Sequence, residues 1–215
     1  MIRRSLDRFQ FGLDVLRLNA IPREYLRHRL IYCDPLQIKQ LLIPKILKRS
    51  NRRLSGYVTS RDIFSGNTIP LRLHPKIRYC FAHFDSKLTW RESLVYDYYS
   101  SLLINNIKID KIWDVSDLEE RLKALDLLFE NVANSGQLKT RFELGFSSQR
   151  FEEQGGIYVH FDGAGQPIFG GGGFHRLAIA QIVGLHRIPV CLGLVHKDFE
   201  KNLGEKIKQS NLGST

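Results

Sequence analysis

The chain has 215 residues, 43% of them hydrophobic, and 32 Lys and Arg against 22 Asp and Glu leave a formal net charge of +10. That length accommodates one large domain or a core with an extension, and the hydrophobic content excludes wholesale disorder. No run of about 18 apolar residues is present to cross a bilayer, and the basic balance suits nucleotides, nucleic acid or an anionic surface as partners.

Ile2, Leu6, Phe9, Leu13, Leu16 and Ala20 recur at helical spacing, with Arg3, Arg4, Arg8 and Arg17 largely off that stripe. The pattern predicts an amphipathic helix docked through the stripe on the rest of the protein, with a membrane-surface or partner helix as the alternative. Asp14 interrupts any apolar signal-peptide core, so a cytoplasmic protein is expected. Tyr25–Tyr32 reads as extended, and Asp34-Pro35 as the start of a second helix through Gln40 and Leu42, interrupted at Pro44. Lys45–Arg53 is the densest basic run and suits a solvated loop or a phosphate-backbone contact. Gly56, Gly66-Asn67, Pro70 and Pro75 punctuate an irregular surface connection with one or two short strands.

Thr89 and Glu92 form a capping box for a helix running through Asn105, and Trp90 beside them reads as a packing residue. Ile107–Trp113 alternates apolar and polar residues, as a half-buried strand does. A second box at Ser116 to Glu119 opens a helix marked by Leu118, Leu122, Leu125, Phe129 and Val132 and stopped at Ser135-Gly136. Gln149–Gly156 is polar and ends in glycine, as a mobile loop would. Ile157–Phe161 is a predicted strand, and Asp162-Gly163-Ala164-Gly165 a tight turn out of it. Residues from Leu203 onward form a polar tail expected to fray.

The stretch QPIFGGGGFHRLAIAQIVGLHRIPV, Gln166–Val190, carries the most chemistry. A short buried strand ends at Phe169, four glycines follow, an apolar helix starts near Phe174, Gly184 stops it, and Ile188–Val195 is the next strand. Glycines between a strand and a helix leave main-chain N–H groups accessible at the positive end of the helix dipole, which is an anion site. His175 and Arg176 are unfavourable beside that pole unless an anion neutralises them. The alternative is a turn whose glycines permit close packing. There is no Gly-Lys-Ser/Thr and no G-x-G-x-x-G register, which excludes a Walker A loop and a dinucleotide fingerprint. His160, His175, His186 and His196 match no zinc spacing, and Cys33, Cys80 and Cys191 contain no C-x-x-C pair, so no metal site is expected and the thiols are expected to be reduced.

Over residues 112–200 the sequence resembles the nucleotide-binding core shared by ParB N-terminal domains, sulfiredoxins and free-serine kinases. Gly172-Gly173-Phe174-His175-Arg176 is similar to the sulfiredoxin turn Gly-Gly-Cys-His-Arg, with Phe174 at the position of the reactive cysteine. The resemblance therefore implies the fold and the phosphate site rather than sulfiredoxin chemistry. It implies an α+β fold, a mixed sheet with flanking helices over residues 111–200; outside it, the sequence is read as a mainly helical extension over 1–110 and a polar tail from 201. Gly171, Gly172, Gly173, His175 and Arg176 would contact the phosphates of ATP or CTP.

On this footing the expected activity is ATP-dependent phosphoryl transfer to a small hydroxylated metabolite. Mg²⁺ and a general base would draw on Asp162, Glu143 or Glu92, with His175 at the phosphates. The alternatives are a ParB-like, nucleotide-dependent DNA-binding module and a non-enzymatic partner protein. Against the DNA module, no helix-turn-helix follows the core.

Overall fold

The computed structural model describes residues 2–43, 51–105, 107, 110 and 112–212. It is a mixed α+β protein that divides into two units. One comprises Met1–Leu71, Lys139–Gly173 and His186–Thr215; the other comprises Arg72–Leu138 and Phe174–Leu185.

The first unit is built on a mixed eight-stranded sheet. Its strands are β1 (Ala20–Pro22), β2 (Leu30–Cys33), β3 (Gln40–Leu42), β4 (Tyr57–Thr59), β5 (Thr68–Pro70), β6 (Tyr158–Phe161), β7 (Pro167–Gly171) and β8 (Ile188–His196). Their order is β1-β4-β8-β6-β7-β3-β5, with β2 also paired to β8. Strand β8 is buried along its whole length, as its near-continuous apolar sequence requires of a strand with neighbours on both edges and cover on both faces. It runs parallel to β6 and β4 and antiparallel to β2, so two short strands share one of its edges at successive positions. Helix α1 (Ile2–Arg17) precedes β1, and helix α6 (Lys197–Leu212) leaves β8 directly.

Several expectations for this unit are corrected by the sheet. Besides its helices, the first half of the chain supplies five of the eight strands, so the sheet is not confined to the C-terminal half as expected. Asp34 does cap a turn, accepting from the Leu36 N–H at 2.8 Å, but the turn ends at Gln37 and the chain becomes β3. Pairing of Gln40 and Leu41 with Ile168 and Phe169 of β7 overrides local helical preference. Pro44 and the basic run from Lys45 to Ser50 lie outside the described residues. The expected frayed tail is helix α6, on which Phe199 stacks against Phe161 at 5.1 Å and Leu203 is fully buried.

Helix α1 packs with the face opposite to the expected one. Phe11, Val15 and Leu18 meet a core of Leu42, Leu54, Ile63, Phe64, Ile168 and Leu194, and Phe11 sits edge-on to Tyr57 at 5.8 Å. Of the predicted docking stripe, Phe9, Leu13 and Leu16 are exposed and Ala20, on β1, is buried, while the side chains of Ile2 and Leu6 lie outside the described ones.

The second unit is helical: α2 (Pro75–Cys80) running into a π-turn at Phe81–Asp85, α3 (Val95–Ile104), α4 (Val115–Ser135) and α5 (Phe174–Val183). Helix α5 packs against α2 and α4. Leu118, Leu122, Leu125 and Val132 turn one face of α4 inward, and each buried leucine contributes about 2 kcal/mol. Gly136 closes α4 at φ 63°, its N–H bonded to the Val132 carbonyl at 2.9 Å. The helix starts at Asp114 rather than Ser116: the Asp114 carboxylate accepts from the Asp117 N–H at 2.9 Å. The Thr89–Glu92 box forms, with Thr89 N–H donating to Glu92 Oε2 at 2.8 Å. Leu94 then adopts φ 66°, so the regular helix begins only at Val95. Trp90 packs, stacked on His83 at 3.8 Å with its indole N–H on Asp126. Where a strand was expected over Ile107–Trp113, the described residues Ile107, Asp110, Ile112 and Trp113 form none, and Asp110 is left-handed at φ 56°.

Candidate functional site

The helical unit gathers a chain of polar groups at the first turn of α5. His175, the second residue of that helix, is 5% exposed. Its Nε2 contacts the Tyr79 hydroxyl from α2, and its Nδ1 lies 3.3 Å from Arg121 Nη2 on α4. Tyr79 lies 3.5 Å from the Tyr99 hydroxyl on α3, and Tyr99 donates to Asp110 Oδ2 at 2.6 Å. Lys76, on α2, also donates to Asp110 Oδ2.

A guanidinium only donates, so Nδ1 of His175 is an acceptor and the ring proton sits on Nε2. The donors then run one way: Arg121 to His175, His175 to Tyr79, Tyr79 to Tyr99, Tyr99 to Asp110. Burial, and then the charges of Arg121 and Lys76, push the His175 pKa down to about 3, so the ring is neutral at ordinary pH. Burial also raises both tyrosines far above their usual range. For Asp110, burial alone would raise the carboxyl; the hydrogen bonds from Lys76 and Tyr99 and the Lys76 charge outweigh it, and the net shift is downward. Around this turn, His74 caps α2 by accepting from the Lys76 N–H at 3.2 Å and stacks on Phe174 at 4.0 Å. Arg176, next in α5, is buried.

Among the described members of this cluster, Lys76 and Arg121 stand with one carboxylate, Asp110, and Arg176 lies buried in the same helical turn. These cations stand at the positive pole of a ten-residue helix.

The other residues singled out in the sequence lie in the sheet unit. Gly171, Gly172 and Gly173 end β7 with φ of 99°, 76° and 63°, a run of left-handed conformations that side chains rarely adopt. Gly173 also passes so close to Ile157 that a Cβ would lie 2.8 Å from its Cγ1. Asp162 accepts at Oδ1 from the N–H groups of Ala164 and Gln166, at 3.0 and 2.8 Å, and so closes the β6–β7 turn. Glu143 accepts from the Thr140 N–H at 2.6 Å while its own N–H donates to Thr140 Oγ1 at 3.1 Å, a reciprocal capping box. Both carboxylates are thus engaged with main chain in one unit, whereas His175 belongs to the other. Asp110, the carboxylate of the α5 cluster, has Oδ2 shared between Lys76 and Tyr99. That engaged donor does not fit Mg²⁺, which needs free oxygens in near-octahedral array.

His160, on β6, is fully buried beneath two glycines. A Cβ on Gly170 of β7 would stand 2.5 Å from its Nε2, and one on Gly193 of β8 2.6 Å from its Nδ1. Between Tyr158 and Val159 the β6–β7 register slips past Gly170, a bulge that makes the room. Nδ1 accepts from the Leu194 N–H at 2.8 Å, and burial lowers the pKa to about 3.

Two of the clefts in the sheet unit carry several charged residues. One, of about 640 Å³, carries Arg23, Arg27 and Arg53. Arg23 is paired with Glu200 at 2.8 Å and Arg27 with Glu24 at 3.7 Å, which uses much of the positive charge. The other, of about 730 Å³, is lined by Asp62, Asp162 and Asp198 with Lys39, an acidic set that repels phosphate.

Sequence inspection missed Lys76, Tyr79, Tyr99, Asp110 and Arg121. They come from four separate segments, and only the fold brings them to His175. No family model, no curated protein and no solved structure matches the chain.

Proposed function

We propose that the first turn of α5 binds the phosphates of a nucleotide, ATP or CTP, in a protein of the ParB and sulfiredoxin type, with phosphoryl transfer to a hydroxylated metabolite as the associated activity. What supports this reading is Lys76 and Arg121 standing beside the first turn of α5, around a histidine that burial and these two charges keep neutral, with Arg176 in the same turn. Cations at a helix N-terminus oppose the dipole, and a polyphosphate relieves both. Phosphoryl transfer asks of a protein chiefly positioned cations and oriented donors. The groups here supply those directly: Arg121 and Arg176 as charge-assisted donors and the helix main chain as the neutral ones.

Calorimetry with ATP, CTP and inorganic triphosphate tests it. Each is expected to bind, and the nucleosides alone are not. Arg121 is exposed, so Arg121→Ala leaves the core intact. Arg121→Ala and Arg176→Ala are each expected to weaken binding about tenfold to a hundredfold, the worth of a charge-assisted hydrogen bond. No heat with triphosphate at millimolar concentration, or full affinity in both variants, overturns the proposal.

A further inference from the structure

Helix α1 has two apolar faces, and among its described side chains one of them packs within the fold. At roughly 100° per residue, Phe11, Val15 and Leu18 fall within an arc of about 60°. These are the residues that meet the core beneath β1 and β4. Phe9, Leu13 and Leu16 occupy an arc of similar width nearly opposite, and they are 66%, 44% and 77% exposed. In sequence, Ile2 and Leu6 continue the same stripe. A surface helix normally turns its second face to water with polar residues. Three large apolar side chains in one outward register are therefore a surface without its partner.

Charge identifies that partner. The helix carries Arg3, Arg4, Arg8 and Arg17 against Asp7 and Asp14, and Asp14 is buried on the packed side. The whole chain is +10. A second copy would bring like-charged helices together. A negatively charged lipid surface accepts apolar side chains at its boundary and arginines at its headgroups at the same time. No helix among the described residues is long and apolar enough to cross a membrane, so the contact is in the plane of the interface. We infer that α1 lies on anionic membrane surfaces through Phe9, Leu13 and Leu16, drawn there by the net positive charge of the helix and of the chain. This inference is independent of the nucleotide proposal, which concerns the helical unit.

Cosedimentation of the full chain with vesicles tests it, comparing about 30% phosphatidylglycerol in phosphatidylcholine with phosphatidylcholine alone. The expected result is sedimentation with the anionic vesicles, weakened by added salt as headgroup charge is screened. The triple variant Phe9→Ser, Leu13→Ser, Leu16→Ser alters no core contact, so its melting temperature should match the wild type. It is expected to need at least about tenfold more lipid for half-binding. Failure of the wild type to sediment with anionic vesicles overturns the inference, as does undiminished binding of the triple variant. A dimer in light scattering that the triple variant dissolves overturns it too, because a second copy then covers the face.

Discussion

His160 and His175 share a burial and a low pKa, yet they are different kinds of histidine. His160 stands in the sheet unit, in a slot that Gly170 and Gly193 leave open, and burial alone lowers its pKa. One main-chain N–H fixes its tautomer. His175 stands at a helix terminus among Arg121, Tyr79, Lys76 and Asp110, and charge as well as burial lowers its pKa. The first is a packing element whose surroundings are set by backbone; the second is set by ionisable groups. A low histidine pKa is thus no sign of function by itself. What separates the two is whether movable charge surrounds the ring.

The comparison breaks most readily at the slot. Gly193→Val places side-chain carbon within 3 Å of the His160 ring and of the Val159 carbonyl, both fully buried. Neither neighbour can retreat, because the carbonyl belongs to the central sheet. A loss of about 3 kcal/mol or more is expected, read as a lowered urea midpoint. An unchanged midpoint would mean that the slot is looser than its glycines indicate.

Acid sharpens the same comparison. A histidine whose folded pKa lies below its ordinary value of about 6.5 holds the fold in the neutral form. That contribution is complete above about pH 6.5 and is lost as pH falls toward the folded value, because the unfolded chain binds the proton first. With both folded values at about 3, each ring is expected to cost roughly 2 kcal/mol of stability by about pH 5. The two part company when triphosphate is added. An anion at the α5 turn raises the His175 pKa and reduces its share of the loss, while His160 is unaffected. Ring-proton titration by NMR, with and without triphosphate, reads this directly.

Much of the sheet's central strand–helix–strand run was legible because its signals are local. The Gly170–Gly173 run and Gly184 bracket α5, and Ile188-Pro189-Val190 announces β8. Gly136 likewise ended α4 where expected. Strands β1, β3, β4 and β5 were poorly legible because three residues carry no period, and their partners lie far along the chain, as Leu41 pairs with Phe169. The stripe on α1 was seen, but periodicity reports that a face is apolar and not what covers it. Glu153 illustrates a further limit. It is fully buried, and its carboxylate ties the Arg141 and Ile157 N–H groups together, inside a stretch whose polarity had suggested a mobile loop. The α5 cluster was beyond sequence inspection for the reason that makes it interesting: its members are ordinary residues on four segments, and only their convergence gives them a role.

The smallest effects concern the carboxylates. If Asp162 and Glu143 serve the main chain, as their hydrogen bonds indicate, then Asp162→Ala and Glu143→Ala each remove a cap or turn acceptor and cost about 1 kcal/mol. For a chain of this size that is a fall of about 3 °C in melting temperature. Triphosphate affinity should not change, since both carboxylates are engaged with main-chain N–H groups. A catalytic carboxylate behaves in the opposite way, because its removal leaves the melting temperature nearly unchanged and abolishes turnover. The amide counterparts, Asp162→Asn and Glu143→Gln, separate the two roles further. Asp162→Asn keeps an oxygen that accepts from Ala164 and Gln166, so it should restore most of the lost stability, whereas an acid or base needed for proton transfer is not restored by an amide. Melting curves of the Ala and amide variants, set beside turnover of ATP, therefore decide whether these two residues support the turn or the chemistry.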